Sequence, residues 1–379
     1  MFTRIDTSGT PFERGRQHGT LARAKVLGSA RVYAAIFASV GIDWPTACAQ
    51  AWRYREVVAD LAPALYAEMQ GIAAGSGLSL DGVLALNART EILPPVFPGG
   101  AVGDVEAARA RNAALGWADL SECTSLAVSG DRMEDGRTRV AQNWDWVGAQ
   151  RAHVILLTIR RDDGPDVLLV TEAGMLGKIG VNAHGLAIGL NILRAKNDGA
   201  RIGLPVHVFQ RAALDCASVT EVLAFAGRLP FAASSNAILG DAGGAVASLE
   251  YNPAGIGVLA PEQGVVLHTN HFCTRTLAPE QAPLDAMLTT EPRLGRAQAI
   301  ARAWPERVPP RAIEALLSDA TGGVGAIARE PDPALAAHAR IETVLGVVID
   351  CVERSLSIAP GVPARTPFAP PIRLGVATS

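Results

Sequence analysis

Cysteine is scarce in this chain. Five occur in 379 residues, at positions 48, 123, 216, 273 and 351, odd in number and far apart. That pattern excludes a disulfide framework and leaves each thiol free for chemistry in a reducing compartment. Long apolar runs are missing too: no stretch of about 18 apolar residues could span a bilayer. The opening Met1-Phe2-Thr3-Arg4-Ile5-Asp6 has no apolar signal-peptide core. Charge of one sign is lacking, since the net charge is −3 with Lys and Arg scattered. Neither a basic stripe for nucleic acid nor a basic amphipathic face for a membrane is present. These absences predict a cytoplasmic protein with a small-molecule partner. What is present is 49% hydrophobic residues, enough for one large core or two ordinary domains.

Residues 20–94 carry apolar positions at helical spacing with few β-branched clusters, and predict an α-rich arm. Two interruptions read as punctuation: a turn-rich opening at Gly9–Gly19, and a helix stop followed by a new N-cap between Gly75 and Leu80. From Pro94 the composition shifts to Pro, Gly, Ala and Arg, the pattern of a mobile linker over 94–122. At Cys123 the pattern turns to strands, expected at 124–128, 138–142, 154–159, 167–171, 179–182 and 186–191. Turns such as Asp162-Asp163-Gly164 and Asn182-Ala183-His184-Gly185 suit antiparallel hairpins rather than βαβ units. Helix pairs within 206–226 and 294–317, with strands between and after them, predict an α+β sandwich in four layers, αββα.

Cys123, in Glu122-Cys123-Thr124-Ser125, stands where the linker meets the first of these strands. Cleavage of the Glu122–Cys123 bond would give it a free α-amine of pKa about 7.7–8.0, able to act as general base toward its own thiol. The thiol can make that cut itself, by attacking the Glu122 carbonyl, shifting the acyl group from nitrogen to sulfur and leaving a thioester for water. Thr124 adds a hydroxyl beside the nucleophile. Downstream, Gln142-Asn143-Trp144-Asp145-Trp146 reads as a strand end where Asp145 can orient the amine, Asn143 can donate hydrogen bonds and Trp144 can form an apolar wall.

His268-Thr269-Asn270-His271-Phe272-Cys273 admits two readings. A metal site through His268, His271 and Cys273 lacks a second cluster of matching spacing, so no metal is expected. An oxyanion-hole role for Asn270 is the better reading, since such a side-chain amide contributes roughly 3–4 kcal/mol to the transition state. Ser235 can line the same pocket, and Arg293 can hold a carboxylate or simply be a solvated helix-end charge. The glycines of Glu172–Gly180 are not a phosphate loop, because no Ser or Thr follows Lys178; they allow a bulge or a close backbone approach.

Glu-Cys-Thr-Ser, Gln-Asn-Trp-Asp-Trp and Thr-Glu-Ala-Gly-x-x-Gly-Lys-Ile-Gly-x-Asn occur in that order. With them the chain resembles the acyl-coenzyme A:6-aminopenicillanic acid acyltransferase family, the C45 cysteine peptidase group of N-terminal nucleophile hydrolases. The similarity extends to Gly9–Gly19, Glu68–Ala73, Asn87–Glu91, Asn191 and Thr269–His271. The resemblance implies the αββα sandwich of that superfamily. It also implies self-cleavage between Glu122 and Cys123 into an α-rich segment 1–122 and a catalytic segment 123–379, which stay together as a heterodimer. Cys123 then corresponds to the nucleophile, Asp145 to a positioning carboxylate and Asn270 to the oxyanion side chain, with Ser235 and Arg293 at supporting positions. The implied activity is hydrolysis or acyl transfer of a small-molecule amide through a Cys123 thioester. No cofactor is implied, and acyl-coenzyme A is a candidate acyl-donor co-substrate. The family usually carries Gly where Glu122 stands, a departure that bears on the rate of self-cleavage.

Two other readings stay open. Cys123 can remain internal and pair with His184 or His271 in a papain-like arrangement, or the chain can be a non-catalytic binding protein on the same fold.

Overall fold

The computed structural model describes residues 2–93, 123–199, 201–282, 289–335 and 340–375. The expected linker 94–122, Glu122 included, lies outside the described residues. The chain opens with β1 (Thr3–Thr7), then α1 (Pro11–Leu21), α2 (Arg23–Ser39), α3 (Trp44–Trp52), α4 (Arg55–Leu61), α5 (Pro63–Ser76), α6 (Leu80–Asn87) and α7 (Arg89–Ile92). Six strands follow: β2 (Cys123–Val128), β3 (Arg139–Val147), β4 (Val154–Ile159), β5 (Val167–Glu172), β6 (Ile179–Asn182) and β7 (Ala187–Ile192). After them come α8 (Val206–Ala213), α9 (Val219–Ala226), β8 (Ser235–Gly240), β9 (Val246–Asn252), β10 (Gly255–Leu259) and β11 (Val265–His268). The last elements are α10 (Thr290–Arg302), α11 (Pro310–Leu317), β12 (Ile341–Asp350), β13 (Ser355–Ala359) and β14 (Ile372–Arg373).

Two sheets form, one in the order β1-β4-β5-β6-β7-β8-β9-β10 and one in the order β11-β2-β3-β12-β13-β14. The alternation of side chains along β3 shows how they stack. Gln142, Trp144 and Trp146 face the larger sheet, and Gln142 exchanges hydrogen bonds with the backbone of Leu190 on β7. The intervening Ala141 and Asn143 face outward: Ala141 packs in a cluster with Ile313, Leu316 and Leu317 of α11, and Asn143 Nδ2 donates to Leu317 O. Helices α8 and α9 cover the outer face of the larger sheet, and α10 and α11 that of the smaller. The result is the four-layer αββα sandwich.

The N-terminal third departs from expectation in two places. Thr3–Thr7 is a strand, pairing in parallel with β4, so residues from both sides of Cys123 share one sheet. The main apolar core likewise runs from Ile5 to Ile358. The segment expected as a turn-rich opening is the helix α1, started by a Thr10–Glu13 capping box with Pro11 in its first turn. Its glycines face another helix: a Cβ on Gly15 would lie 1.9 Å from Glu68 O, and one on Gly71 of α5 would lie 2.1 Å from Phe12 O. The small residues let two backbones touch. The expected stop near Gly77 is present, with that residue left-handed at φ 78°.

Among the described residues no single helix is long and apolar enough to cross a membrane. The helix pair α2 and α3 passes by length and composition only as a sharply bent unit.

Candidate active site

Cys123 is the first residue of β2, opposite Trp144 in the antiparallel register with β3, so both side chains point to the inner face. Its main chain is clamped by side chains from three other elements. The nitrogen donates to Asn270 Oδ1 at 2.7 Å. The carbonyl oxygen accepts from Arg293 Nη1 at 2.7 Å and from Asn191 Nδ2 at 3.2 Å. Arg293, 1% exposed in the first turn of α10, also donates to Thr124 Oγ1 and Asn270 Oδ1, both at 3.0 Å. It is thus a buried organiser, not a solvated helix-end charge.

Asn270 sits just beyond β11, in a turn tied by Thr290 Oγ1, which accepts from Asn270 N. Its amide orientation follows from its partners. Oδ1 accepts from Cys123 and Arg293, while Nδ2 donates to Ile192 O at 3.0 Å. The expected oxyanion donor therefore has one of its two N–H bonds engaged by backbone, and presents an acceptor to Cys123 N. Ser235, at the start of β8, donates to Asn191 O. Asn191 Oδ1 in turn accepts from Ser125 Oγ at 2.6 Å and Asn236 Nδ2 at 3.0 Å, a polar seam joining the two sheets directly behind Cys123.

Asp145 and Asn143 lie inside β3 rather than at a strand end, and face the outer layer. Asp145 Oδ1 accepts from Thr343 Oγ1 at 2.6 Å, whereas Oδ2 has no partner. Asn143 braces the loop around Ile327 as well as α11, away from the thiol. No carboxylate oxygen of Asp145 contacts Cys123 N, and no histidine among the described residues hydrogen-bonds Cys123.

Burial, then the Asp145 charge, pushes the Cys123 thiol up to about 11, while the Asp145 backbone N–H, Lys178 and Arg293 pull the other way. Burial also pushes the Asp145 carboxyl up to about 7, against Arg293 and the Thr343 hydroxyl. Lys178 closes the inner side. Its Nζ lies 3.7 Å from the Trp144 ring centroid and pairs with Glu172. The glycines flanking Lys178 make close backbone approaches, as expected: a Cβ on Gly180 would lie 2.6 Å from Leu168 O.

A model of the family described as acyl-coenzyme A:6-aminopenicillanic acid acyl-transferase matches residues 132–365, more than half of the chain, beginning just downstream of Cys123. The chain belongs to that family. The 40 kDa form of acyl-coenzyme A:6-aminopenicillanic-acid-acyltransferase from Emericella nidulans is 30% identical over 301 residues, covering 77% of this chain and 75% of that protein. Among solved structures, penicillin V acylase from Agrobacterium tumefaciens is similar at 17% identity and a TM-score of 0.45, over 66% of this chain and 86% of that one. A mutant of the conjugated bile acid hydrolase from Clostridium perfringens is similar at 13% identity and a TM-score of 0.48, over 66% and 92%. As a member of the acyltransferase family the chain is an enzyme of the acyl-transfer class.

The second thiol cluster in this region serves the Asn270 turn. Glu250 accepts from Cys273 N at 2.6 Å, Thr274 N at 3.0 Å and Thr274 Oγ1 at 2.5 Å, and meets His268 Nε2 at 2.8 Å. The other ring nitrogen of His268 faces Thr269 O at 2.7 Å, so both ring nitrogens are directed at oxygen acceptors. A cavity of about 490 Å3 adjoins Cys273, Val265 and Leu294, away from Cys123. Sequence reasoning missed Asn191, Thr343 and Lys178 as members of the site. Signals were available for two of them: Asn191 and Lys178 lie in the stretches that carry the family resemblance, and Asn191 is an Asn in an otherwise apolar strand, Ala187–Ile192.

Proposed function

We propose that the protein cuts its own Glu122–Cys123 bond and then uses the N-terminal Cys123 to hydrolyse a small-molecule amide or transfer its acyl group. The observation that carries this reading is the clamp of Asn270, Arg293 and Asn191 on the main chain of Cys123. Such a clamp keeps the residue in register once the peptide bond before it is gone.

The raised thiol pKa supports the same reading. A thiol held near 11 is a weak nucleophile at neutral pH and needs a base beside it. A terminal amine of pKa about 7.7–8.0 supplies one. In self-cleavage Sγ bonds the Glu122 carbonyl carbon, the thiol proton passes to the departing Cys123 nitrogen, and water then opens the thioester. In turnover the amine takes the thiol proton, Sγ bonds the substrate carbonyl carbon, and the proton leaves with the amine product. Water or an amine acceptor then releases the acyl group. Asn270 Oδ1 takes one N–H of the amine and leaves its lone pair for the thiol proton. Asp145 acts as a positioning residue, through its backbone N–H toward sulfur and through its buried charge.

For the transfer direction, acyl-coenzyme A would deliver its acyl group to Sγ by thioester exchange, as the name of the Emericella relative suggests for that protein. Fragments 1–122 and 123–379 would remain a heterodimer. Five free thiols suit a reducing, cytoplasmic setting.

The test is to mix protein with excess amide, quench in acid and weigh the products. Fragment 123–379 carrying one acyl group, absent in Cys123→Ala, is the expected result. An acylated but uncut chain would favour an internal thiol, and no acylation by any amide would favour a binding protein.

A further inference from the structure

Cys273 is a half-buried free thiol on the wall of the cavity of about 490 Å3. The other walls are β11, through Val265 and Leu267, and α10, through Leu294 and Gln298. These are the two elements that lead to Asn270 and carry Arg293. The cavity therefore has a nucleophilic atom and an opening of its own, separate from Cys123.

In the cluster behind Cys273 the sulfur is the atom left for chemistry. A ligand atom from each of Cys273, His268 and Glu250 lies within 4.8 Å of the others. Glu250 spends both oxygens on Cys273 N, His268 Nε2, Thr274 N and Thr274 Oγ1. His268 Nδ1 faces Thr269 O, and His271 Nδ1 lies 2.9 Å from Thr290 Oγ1. Cys273 Sγ has a long contact, 3.6 Å, to His271 O. The carboxylate and the imidazole thus have no lone pair directed at a cation.

With an oxygen acceptor at each ring nitrogen, His268 is held as the imidazolium. Burial works against that charge, but Cys273 and Glu250 raise its pKa to about 10. It therefore cannot accept the thiol proton, which excludes a Cys–His–Glu turnover site, and it supplies fixed positive charge beside sulfur instead. Burial pushes the Cys273 thiol up, while His268 and His271 pull it down to about 7. Cys216 is the built-in comparison. It too is half-buried and free, but burial, Glu221 and Asp215 push it up to about 11. A partly open thiol beside positive charge is the setting for exchange with disulfides. Arg132 and Arg302 line the cavity against one carboxylate, Glu262, so an anionic partner is favoured.

We propose that Cys273 is a modification site for small anionic disulfides, which enter the cavity and leave one half on the sulfur. Cys273 first loses its proton to solvent. Sγ then attacks one sulfur of the disulfide, a new S–S bond forms, and the old one breaks. The other half departs as a thiolate and takes up a proton from solvent. Cys273 is oxidised and the departing sulfur is reduced, so no further oxidant enters, and a small thiol reverses the step. The inference is independent of the role given to Cys123.

The experiment treats wild-type protein at neutral pH with dithiodiglycolate, quenches in acid at intervals, and maps the adduct on each cysteine by peptide mass. Cys273 is expected to react about tenfold or more faster than Cys216 in native buffer, and at a similar rate in urea, where both lose their surroundings. Equal native rates overturn the inference. A difference that persists in urea also overturns it, because it then belongs to local sequence and not to the folded site. The dication cystamine, with each reagent scaled to its rate on the unfolded chain, is expected to label native Cys273 more slowly than the diacid. Cystamine labelling as fast or faster overturns the anionic class.

Discussion

The buried carboxylate of Asp145 makes a prediction that needs no substrate. Burial raises its folded pKa to about 7 from an ordinary 3.8. Between about pH 4 and 7 the native state therefore holds a proton that the unfolded chain has lost, so this group's contribution to stability falls as pH rises through that window and is level above it. Asp145→Asn removes the slope. In a Cys123→Ala background, which keeps the chain intact, the Asn variant should gain about 3 kcal/mol on its parent between pH 5 and pH 7.5, measured by urea unfolding. A constant difference across that range would mean that the carboxylate is not held at a raised pKa.

How much of the site could be read in advance divides by distance along the chain. Cys123 and its strand neighbours were legible because local composition changes there. Arg293 was placed at a supporting position by family resemblance, but its part as an organiser was not legible, because that rests on contact with a residue 170 positions earlier and its own surroundings look like a helix start. Asn270 was singled out from its own residue context and again by family resemblance, but the direction of its amide follows from Ile192 O and Arg293, which no spacing encodes.

At the scale of elements, the strands from β4 to β9 were readable because each alternates or runs apolar between turn residues; Gly185, at φ 83°, allows the tight β6–β7 turn. Four elements were not, β10 and the two-residue β14 among them. β1 is a five-residue strand with three exposed positions, so its apolar signal is small, and its partner lies about 150 residues away. Helix α1 was obscured by its glycines, which lower helix propensity but are needed for contact with α5. That contact gives a paired prediction. Gly71→Ala places a methyl against the Phe12 and Arg16 backbones and should cost about 1–3 kcal/mol, seen as a lower melting temperature. Gly295→Ala, on α10 with no atom within 4 Å, should leave stability equal or raise it by up to about 1 kcal/mol. Similar losses in both would mean that the helices are not in backbone contact.

At the scale of the whole molecule, the parallel β1–β4 pairing and the common core place residues on both sides of Cys123 in a single folding unit. Arg14 on α1 also bonds Asp163, and Tyr33 on α2 bonds Glu172. A cut at Cys123 should therefore not separate the fragments. On gel filtration in native buffer, segments 1–122 and 123–379 should co-elute and part only in denaturant; separate elution in buffer would contradict a shared core.

The most direct test of the mechanism is the mass of the protein itself. Freshly purified wild type, weighed intact under denaturing conditions beside Cys123→Ala, should give two species, residues 1–122 and residues 123–379, while the variant gives a single uncut chain. A single uncut chain in both samples, or the same two fragments in both, would contradict the claim that Cys123 makes itself the N-terminal nucleophile.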